Sequence, residues 1–412
     1  MESNCRKLNS RLIFVKNRHP ISQNHHYLSQ TNDYYNMMKL PLSILTFFLL
    51  ALLGCQSGQQ TETETPTDEP LQWVTYEGEQ GPGKGKHIVL ISGDEEYRSE
   101  EAMPQMARIL SDHHGFTCTV LFAQDPEHPG RIDPNYLKNI PGLEALQKAD
   151  LAFVFTRFRE LPDDQMQEIE NYLLKGKPVI GIRTATHAFN VLDTTSKWLH
   201  YDNYYEGEKE EWHGGFGRLV LGEKWVAHHG HHKHQSTSGM IAEGAENHPI
   251  TNGIENGDVW GPTDVYRVRL PLPGDAQPII LGQVMNRAGE YDENDPFFGL
   301  KQTDSEVATV NPAREQDGNP NDPMMPVAWT KSYQLPGGQT GKSFASTIGS
   351  STDLTIEGTR RMYVNAVYWL LGMDVPEKTN VDLVGEYNPS AYSFHDDEYW
   401  DNKSLMVSDY LK

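Results

Sequence analysis

The stretch HIVLISGDEEYR at residues 87–98 passes from a continuous apolar segment into a polar turn. Residues 87–92 are rich in β-branched side chains and do not alternate with polar ones, which predicts a strand covered on both faces. Pro104 can occupy the first turn of a following helix. Apolar residues recur at helical spacing at Ala102, Met103, Met106, Ile109 and Leu110. A covered strand that leads through a polar turn into a helix predicts an α/β fold.

Further strands and helices alternate along the next eighty residues. FTCTVLF at 116–122, DLAFVFT at 150–156 and PVIGI at 178–182 are predicted strands. A helix is predicted over 163–175, because two aspartates open it, apolar residues line one face and Gly176 follows its end. This order predicts a mostly parallel sheet with helices on both sides.

The middle of the chain, residues 184–254, is rich in Gly, His, Tyr and Trp and lacks a clear period. Such a segment is typical of long functional loops or an insertion. The elements predicted after it are strands at 265–270, 278–284, 327–331 and 343–349 and a helix at 359–371.

A short apolar segment near the N-terminus predicts export. Lys39 precedes an apolar core that is too short to cross a membrane comfortably, and LLGC at 52–55 resembles a bacterial lipoprotein signal. That resemblance implies lipidation of Cys55 and attachment to the bacterial cell envelope; the alternative is an uncleaved membrane anchor. The predicted divisions are an upstream extension at 1–36, the signal peptide at 37–54, a flexible acidic tether at 55–85, one α/β domain at 86–376 and an extended acidic, aromatic arm at 377–412.

The charge balance limits the classes of partner. The chain has 35 Lys and Arg against 57 Asp and Glu, a net charge of −22. This excess argues against binding to nucleic acid or anionic lipid, so membrane contact is expected only through the lipid anchor. Of the three cysteines, only Cys118 lies in the predicted domain, within a strand, where a buried and unreactive thiol is expected. The sequence indicates no particular oligomeric state.

Four segments together resemble the ThuA-like (trehalose utilisation) family, which has the fold of class I glutamine amidotransferases. They are residues 87–110, GKPVIGIRTATHAF at 176–189, HPITNGI at 248–254 and the closing segment from PVAWTKSY at 326–333 to YVNAVYWLLG at 363–372. The resemblance implies a flavodoxin-like, three-layer α/β/α arrangement with long loop insertions, and a role in sugar metabolism.

The chain departs from this pattern at the expected catalytic positions. Arg183 stands where glutamine amidotransferases have a cysteine nucleophile, and Ala185 replaces the glycine of the tight elbow. Gly349 is followed by Ser350, where the family tends to have histidine. Without nucleophile or base, thiolate-dependent amide hydrolysis is excluded, and the chain is predicted not to be a glutamine amidotransferase.

Polar residues follow the predicted strands at the edge where open α/β sheets bind ligands. Asp94 and Glu95 are candidate catalytic acid/base residues, and Tyr97 in the same turn is a candidate ligand contact. Alternatively, the acidic pair only complements the start of a helix. His187 is a further catalytic candidate, although a capping or core role is equally compatible with its position.

Three arginines also follow these strands. Arg157, Arg159 and Arg183 could form a clamp for an anion or a polyol, since each guanidinium is a fixed fork of donors. Arg183 is in addition a catalytic candidate. The alternative is that they form structural salt bridges with the acidic turn at 94–96.

The sequence HHGHHKH at 228–234 gathers five histidines. If this segment were a strand, residues 229 and 231 would share a face, so His229 and His231 are the predicted ligands of a divalent, zinc-like metal. An ordinary polar surface loop is the alternative.

Later turns add candidate ligand contacts at Asp264, Ser350 and Asp353. The aromatic residues Trp212, Trp260 and Tyr204 could stack on sugar rings or simply cover the edge of the core.

Three functions fit these patterns. The first is an enzyme, a carbohydrate-active hydrolase or isomerase, that uses acid/base and possible metal-assisted chemistry on a sugar or keto-sugar. The second is a non-catalytic lipoprotein that binds carbohydrate or another small molecule. The third is a metal-handling protein that uses the histidine cluster.

Overall fold

A ten-stranded mixed sheet forms the centre of residues 69–411, the part of the chain described by this computed structural model. The strands are β1 (Trp73–Tyr76), β2 (His87–Gly93), β3 (Thr117–Phe122), β4 (Leu151–Thr156), β5 (Val179–Ile182), β6 (Gln235–Ile241), β7 (Trp260–Gly261), β8 (Gln277–Asn286), β9 (Met325–Tyr333) and β10 (Gly341–Ser346). The helices are α1 (Ser99–His114), α2 (Asp163–Leu174), α3 (Glu357–Leu370) and α4 (Asp397–Lys403). The predicted α/β fold class is therefore confirmed.

The spatial order of the sheet is β1-β3-β2-β4-β5-β10-β9-β8-β6-β7. Strands β3, β2, β4, β5 and β10 are parallel to one another, as the alternation of strands and helices predicts. In β2 every residue after His87 is buried, which agrees with its unbroken apolar sequence.

The rest of the sheet is antiparallel. Strand β1 pairs antiparallel with β3, and β10, β9, β8, β6 and β7 form an antiparallel ribbon. The prediction of a mostly parallel sheet thus holds for the first half of the domain only. The short connection between β9 and β10 allows a hairpin but is too short for a parallel crossover.

Two local predictions are wrong. The segment 265–270 is not a strand: Val265 and Val268 are buried in a loop that contributes only an isolated bridge between His228 and Tyr266. The alternating apolar residues there are explained by their burial, because the segment does not form the continuous backbone hydrogen bonds of a strand. Helix α1 begins at Ser99, earlier than its apolar stripe, so Pro104 lies in the second turn and not in the first.

The parallel strands end in register, and this positions the site. Gly93 at the end of β2 is paired with Thr156 at the end of β4, and Ile182 of β5 is paired with Ser346 of β10. The turns that follow these four strands therefore lie side by side at one edge of the sheet.

The segment after α3 returns along the parallel half of the sheet. The hydroxyl of Tyr76 on β1 donates to the carbonyl of Tyr410 at 2.8 Å. Between residues 69 and 411, no helix is long and apolar enough to cross a bilayer. The predicted extension, signal peptide, Cys55 lipidation site and most of the tether lie outside the described residues.

Candidate functional site

The acidic turn after β2 contacts the turns after β4 and β5. Glu95 forms ion pairs with Arg157 and with Arg159, the latter at 2.8 Å between Oε2 and Nη2. The hydroxyl of Thr184 donates to Oδ2 of Asp94 at 2.5 Å. The structure thus brings together the acidic and basic residues that the sequence assigned to strand ends.

Asp94 is fully buried and organises its own turn. Its Oδ1 accepts the backbone N–H of Glu96 at 2.9 Å and that of Tyr97. Burial, reinforced by the nearby charge of Glu95, raises the pKa of Asp94 to about 6, against the lowering effect of the Thr184 hydrogen bond. With no exposed surface, Asp94 shapes the site without being open to a ligand.

Arg183 occupies the elbow after β5. Its φ of 43° lies in the left-handed region, which is uncommon for a residue with a side chain and marks a strained turn. The side chain is fully buried. A tight, left-handed turn is therefore present after β5, and its arginine points inward.

The guanidinium of Arg183 lies between two tyrosine rings and reaches a buried carboxylate. Its Cζ is 4.2 Å from the centroid of Tyr97 and 4.1 Å from that of Tyr266. It donates to Oδ1 of Asp264 at 3.0 Å and to the carbonyl of Thr347 at 2.5 Å. Arg183 is thus a positioning residue for Asp264, since it has no surface from which to contact a ligand.

Asp264 holds two imidazoles. Its Oδ2 is 2.9 Å from Nδ1 of His228, and its Oδ1 is 3.0 Å from Nδ1 of His232. Burial alone would raise the pKa of Asp264, but His228, His232 and Arg183 together hold it well below its usual range. The carboxylate is therefore ionised and orients both rings through their Nδ1 atoms.

The two imidazoles differ in the contacts of their second ring nitrogen, Nε2. Nε2 of His232 lies 3.4 Å from Oε1 of Glu96. Burial lowers the pKa of His232, but its hydrogen bonds to Asp264 and Glu96 outweigh that effect and raise the pKa to about 9. Within residues 69–411, no protein atom is hydrogen-bonded to Nε2 of His228, whose side chain is 33% exposed. His228 is thus the imidazole that is open to a ligand.

A row of aromatic residues begins at this open imidazole. The ring of Trp225 is 6.0 Å from that of His228 and 5.5 Å from that of His187, and the ring of Phe158 lies 5.0 Å from that of His187. Tyr204 continues the row at 6.2 Å from Phe158 and is 55% exposed. These five residues form what we call the aromatic rim.

His187 is the buried member of the rim. Burial, with help from the charges of Arg157 and Arg183, lowers its pKa well below the usual value, so the ring is neutral. Its Nδ1 lies 3.3 Å from the hydroxyl of Thr186.

Three residues could hold a metal ion: His228, His232 and Asp264, whose ligand atoms all lie within 4.8 Å of one another. The residues predicted for this role are placed elsewhere. Nε2 of His229 is 2.8 Å from the carbonyl of Pro320, and His231 stacks on His234 at 4.3 Å. The segment is a turn and not a strand, so the spacing of four between residues 228 and 232 was the relevant signal.

The turn after β10 is closed on itself. The carboxylate of Asp353 accepts the N–H groups of Gly349 at 2.6 Å and Ser350 at 2.8 Å, and the hydroxyl of Thr263 at 2.7 Å. Ser350 and Asp353 have no exposed surface, so the structure gives them a part in holding the turn. Trp212 and Trp260 are likewise buried, while Tyr204 is exposed as a stacking residue requires.

Neither a protein-family model nor a curated protein matches the chain. Among solved structures it is similar to a "Putative thua-like protein" from Bacteroides uniformis, with 15% identity over 73% of this chain and 96% of that chain and a TM-score of 0.39. A structure from Parabacteroides merdae with the same description has 13% identity, coverage of 76% and 98%, and a TM-score of 0.39. A cytoplasmic protein from Salmonella typhimurium has 11% identity, coverage of 69% and 98%, and a TM-score of 0.33. Two of the three thus carry the name of the family that the sequence resembles.

Proposed function

We propose that this chain acts on a sugar or keto-sugar and that His228 is its acid/base residue. The observation that carries the proposal is the pair formed by Asp264 and His228. A buried, ionised carboxylate fixes Nδ1 of the imidazole at 2.9 Å and leaves Nε2 available on the open side. This arrangement orients a general base and stabilises the imidazolium that forms when it takes a proton.

The surroundings favour a carbohydrate as the ligand. Sugar rings have apolar faces that pack on aromatic side chains. Trp225 offers such a surface next to His228, and Phe158 and Tyr204 continue the row beyond His187. The sequence resemblance to ThuA-like proteins points to the same class of substrate.

The chemistry that follows is proton transfer at the sugar. Nε2 of His228 removes a proton from a hydroxyl group, or from a carbon next to a carbonyl, and returns it in a later step. Asp264 keeps the ring in place throughout, and Arg183 acts with the two histidines to keep Asp264 ionised. When the proton is taken from a carbon next to the carbonyl and returned to the neighbouring carbon, the product is that of an isomerase. In a hydrolase, Nε2 would instead take a proton from a water molecule that attacks the glycosidic carbon, and would pass it to the sugar oxygen that leaves. Neither reaction requires the missing cysteine.

The test is a thermal-shift screen of sugars and keto-sugars, followed by mass spectrometry of any stabilising compound after incubation. We expect His228→Gln to remain folded and to lose turnover by about 10²–10⁴-fold. His128→Gln, at a 53% exposed histidine that pairs with Asp125 and makes no contact with Asp264, is the matched control. Full turnover by His228→Gln contradicts the proposed role.

The same screen distinguishes the proposed enzyme from a second candidate function, a non-catalytic binding protein. The full burial of Asp94 and Arg183 favours it, because neither of these predicted catalytic side chains can touch a substrate. A sugar that binds tightly and is recovered unchanged from the wild-type protein would establish this function.

The site also supports a metal-assisted version of the chemistry. His228, His232 and Asp264 would supply two nitrogen ligands and one oxygen ligand, a set that suits zinc and leaves one position open, once His232 gave up the proton that Asp264 and Glu96 stabilise. A bound ion would supply a Lewis acid there. Elemental analysis of the purified protein before and after a chelator tests this version, and the absence of stoichiometric metal would leave the Asp264–His228 pair to act alone.

We further propose that the protein is a lipoprotein of the bacterial envelope, held through Cys55 and the tether that follows. The support is the sequence LLGC at 52–55 after a short apolar segment. Membrane fractionation of wild-type protein and of Cys55→Ser tests it: the wild type should sediment with membranes, and the variant should not.

A further inference from the structure

We infer that the C-terminal segment 386–400 forms one wall of the proposed carbohydrate site, with Phe394 as a fixed platform for the apolar face of a sugar ring. The inference rests on the proposed function and adds a specificity-determining residue to the site. We call this segment the C-terminal wall.

The wall is fastened to the turn that follows β2. Arg98 is fully buried with a left-handed φ of 61°, and its guanidinium donates to the carbonyls of Ala391 at 3.3 Å and Ser393 at 2.8 Å. The N–H of Ser393 donates to the carbonyl of Glu96 at 2.9 Å. The strained backbone at Arg98 thus aims a buried cation at the wall, directly beside the acidic turn of the site.

Contacts on both sides of this point hold the rest of the wall. Glu101 accepts both the N–H and the hydroxyl of Ser390, each at 2.8 Å. On the far side, the side-chain amide of Asn135 donates to the carbonyl of His395 at 3.0 Å. Arg98 also lies 5.1 Å from the ring of Trp400 in α4. Attachment at both ends makes this segment a fixed surface and not a lid.

The fastened segment brings Tyr392 into the site. This buried ring is 5.1 Å from Tyr97 and 5.4 Å from His232, and its hydroxyl donates to the carbonyl of Pro262 at 3.2 Å. His232 in turn lies 4.7 Å from His228, measured between ring centroids. The wall therefore packs against the histidine pair itself.

Phe394, two residues further on, is 52% exposed. The centroid of its ring lies 4.8 Å from Cζ of Arg157, and that of Phe158 in the aromatic rim lies 4.6 Å from the same atom. Glu95 fixes the same guanidinium by an ion pair. The wall and the rim thus meet at Arg157.

An exposed phenylalanine on a rigid segment gains little from the core, since half of its surface remains in water. A fixed aromatic face beside polar groups loses little conformational entropy when a ligand binds, and it is suited to a flat apolar partner. Phe394 thus adds an exposed aromatic surface to the row from Phe158 to Tyr204, with Arg157 between them. Aromatic surfaces of this kind favour a cyclic sugar over an acyclic polyol.

The test measures binding of cellobiose, maltose and sorbitol to the full chain by calorimetry. We expect wild-type protein to bind at least one of the two cyclic sugars in preference to sorbitol, and Phe394→Ala to weaken that binding by about 3–10-fold. Phe394→Trp should retain it. Leu411→Ala is the matched control, because Leu411 is a 62% exposed apolar residue that lies outside the C-terminal wall. Where the bound sugar is turned over, Phe394→Ala should raise KM and leave kcat unchanged.

The outcomes separate the two claims. If wild-type protein binds a cyclic sugar and Phe394→Ala, folded with an unchanged melting temperature, binds it equally well, the platform role is wrong and the proposed function stands. If wild-type protein binds none of the three probes at millimolar concentration, both the platform and the proposal for neutral sugars fail. Equal binding of sorbitol and the cyclic sugars also overturns the platform.

Discussion

Replacing Glu100 by glutamine should stabilise the protein at neutral pH and leave its stability unchanged in acid. Glu100 lies in the first turn of α1 and is almost completely buried. Neither of its carboxylate oxygens has a hydrogen-bond partner, and the nearest cation, Nη1 of Arg98, is 3.7 Å away. Burial outweighs the opposing effect of Arg98 and raises the pKa of Glu100 from 4.5 to about 7.

The sign of the pH dependence follows from linkage. Between pH 4.5 and 7 the native state keeps the proton on Glu100 while the unfolded state releases it, so the free energy of unfolding falls as the pH rises. A shift of about 2.5 pKa units corresponds to about 3 kcal/mol lost by pH 8, at 1.36 kcal/mol per unit. Glutamine is neutral at every pH and escapes this loss. Because the variant also leaves Arg98 without its counter-ion, about 3 kcal/mol is an upper value for the gain.

Urea unfolding of wild-type protein and Glu100→Gln at pH 4, 6 and 8 measures the effect. The difference in free energy of unfolding should be close to zero at pH 4 and should grow in favour of the variant up to pH 8. Glu127→Gln, at an exposed loop position, is the control and should show no such trend. A difference that does not vary with pH, or a variant that is less stable at pH 8, would refute the reasoning.

Three further substitutions or measurements test other buried contacts. Arg183→Ala should lower the free energy of unfolding by about 3–5 kcal/mol in urea titrations, because it leaves the Asp264 carboxylate buried without its guanidinium partner. An unchanged midpoint of urea unfolding would contradict the proposed pairing of Arg183 with Asp264. Gly261→Ala should lower the free energy of unfolding by about 1–3 kcal/mol in the same assay, because a Cβ at this position would lie 2.0 Å from Oδ1 of Asp353. If the variant is as stable as the wild type, the turn after β10 can move to make room for the added carbon. Cys118 is fully buried, and burial raises the pKa of its thiol well above the usual value. After treatment with a thiol reagent, peptide mass spectrometry should therefore find Cys118 unmodified in the native protein and modified in the unfolded protein. Rapid labelling in the native state would contradict its burial.

The parallel half of the sheet was predictable because its strands are covered on both faces and therefore have continuous apolar sequences. Residues 87–92, for example, all lie within β2. The antiparallel half gives weaker signals. Strand β6, with sequence QSTSGMI, contains few apolar residues, and β7 has only two residues. Their pairing is set by neighbouring strands and not by their own composition, so a local pattern could not reveal them.

For the candidate site, the sequence predicted which residues lie at the ends of strands, but not which of them are exposed. The sequence predicted that Asp94, Arg157 and Arg183 lie at one edge of the sheet, because each of them follows an apolar strand segment and parallel strands end at the same edge. Whether a side chain at that edge is exposed depends on what covers it, and Arg183 is covered by two tyrosines from different segments. His228 was missed because its importance comes from Asp264, 36 residues away, and no pattern within the histidine segment records that contact.

The elbow after β5 links these observations. A strained, left-handed residue is costly, and it persists where the surrounding contacts fix it. At Arg183 those contacts are two tyrosine rings, two backbone carbonyls and the Asp264 carboxylate, none of which is a reacting group. Through this elbow, Arg183 delivers a buried positive charge to Asp264. Since that charge adds to those of His228 and His232 in holding the pKa of Asp264 low, and Asp264 orients His228, the elbow acts on the open imidazole through one intermediate residue. On this argument Arg183→Lys, which keeps the charge but not the forked geometry, should preserve the ionisation of Asp264 and lose part of the rigidity of the pair.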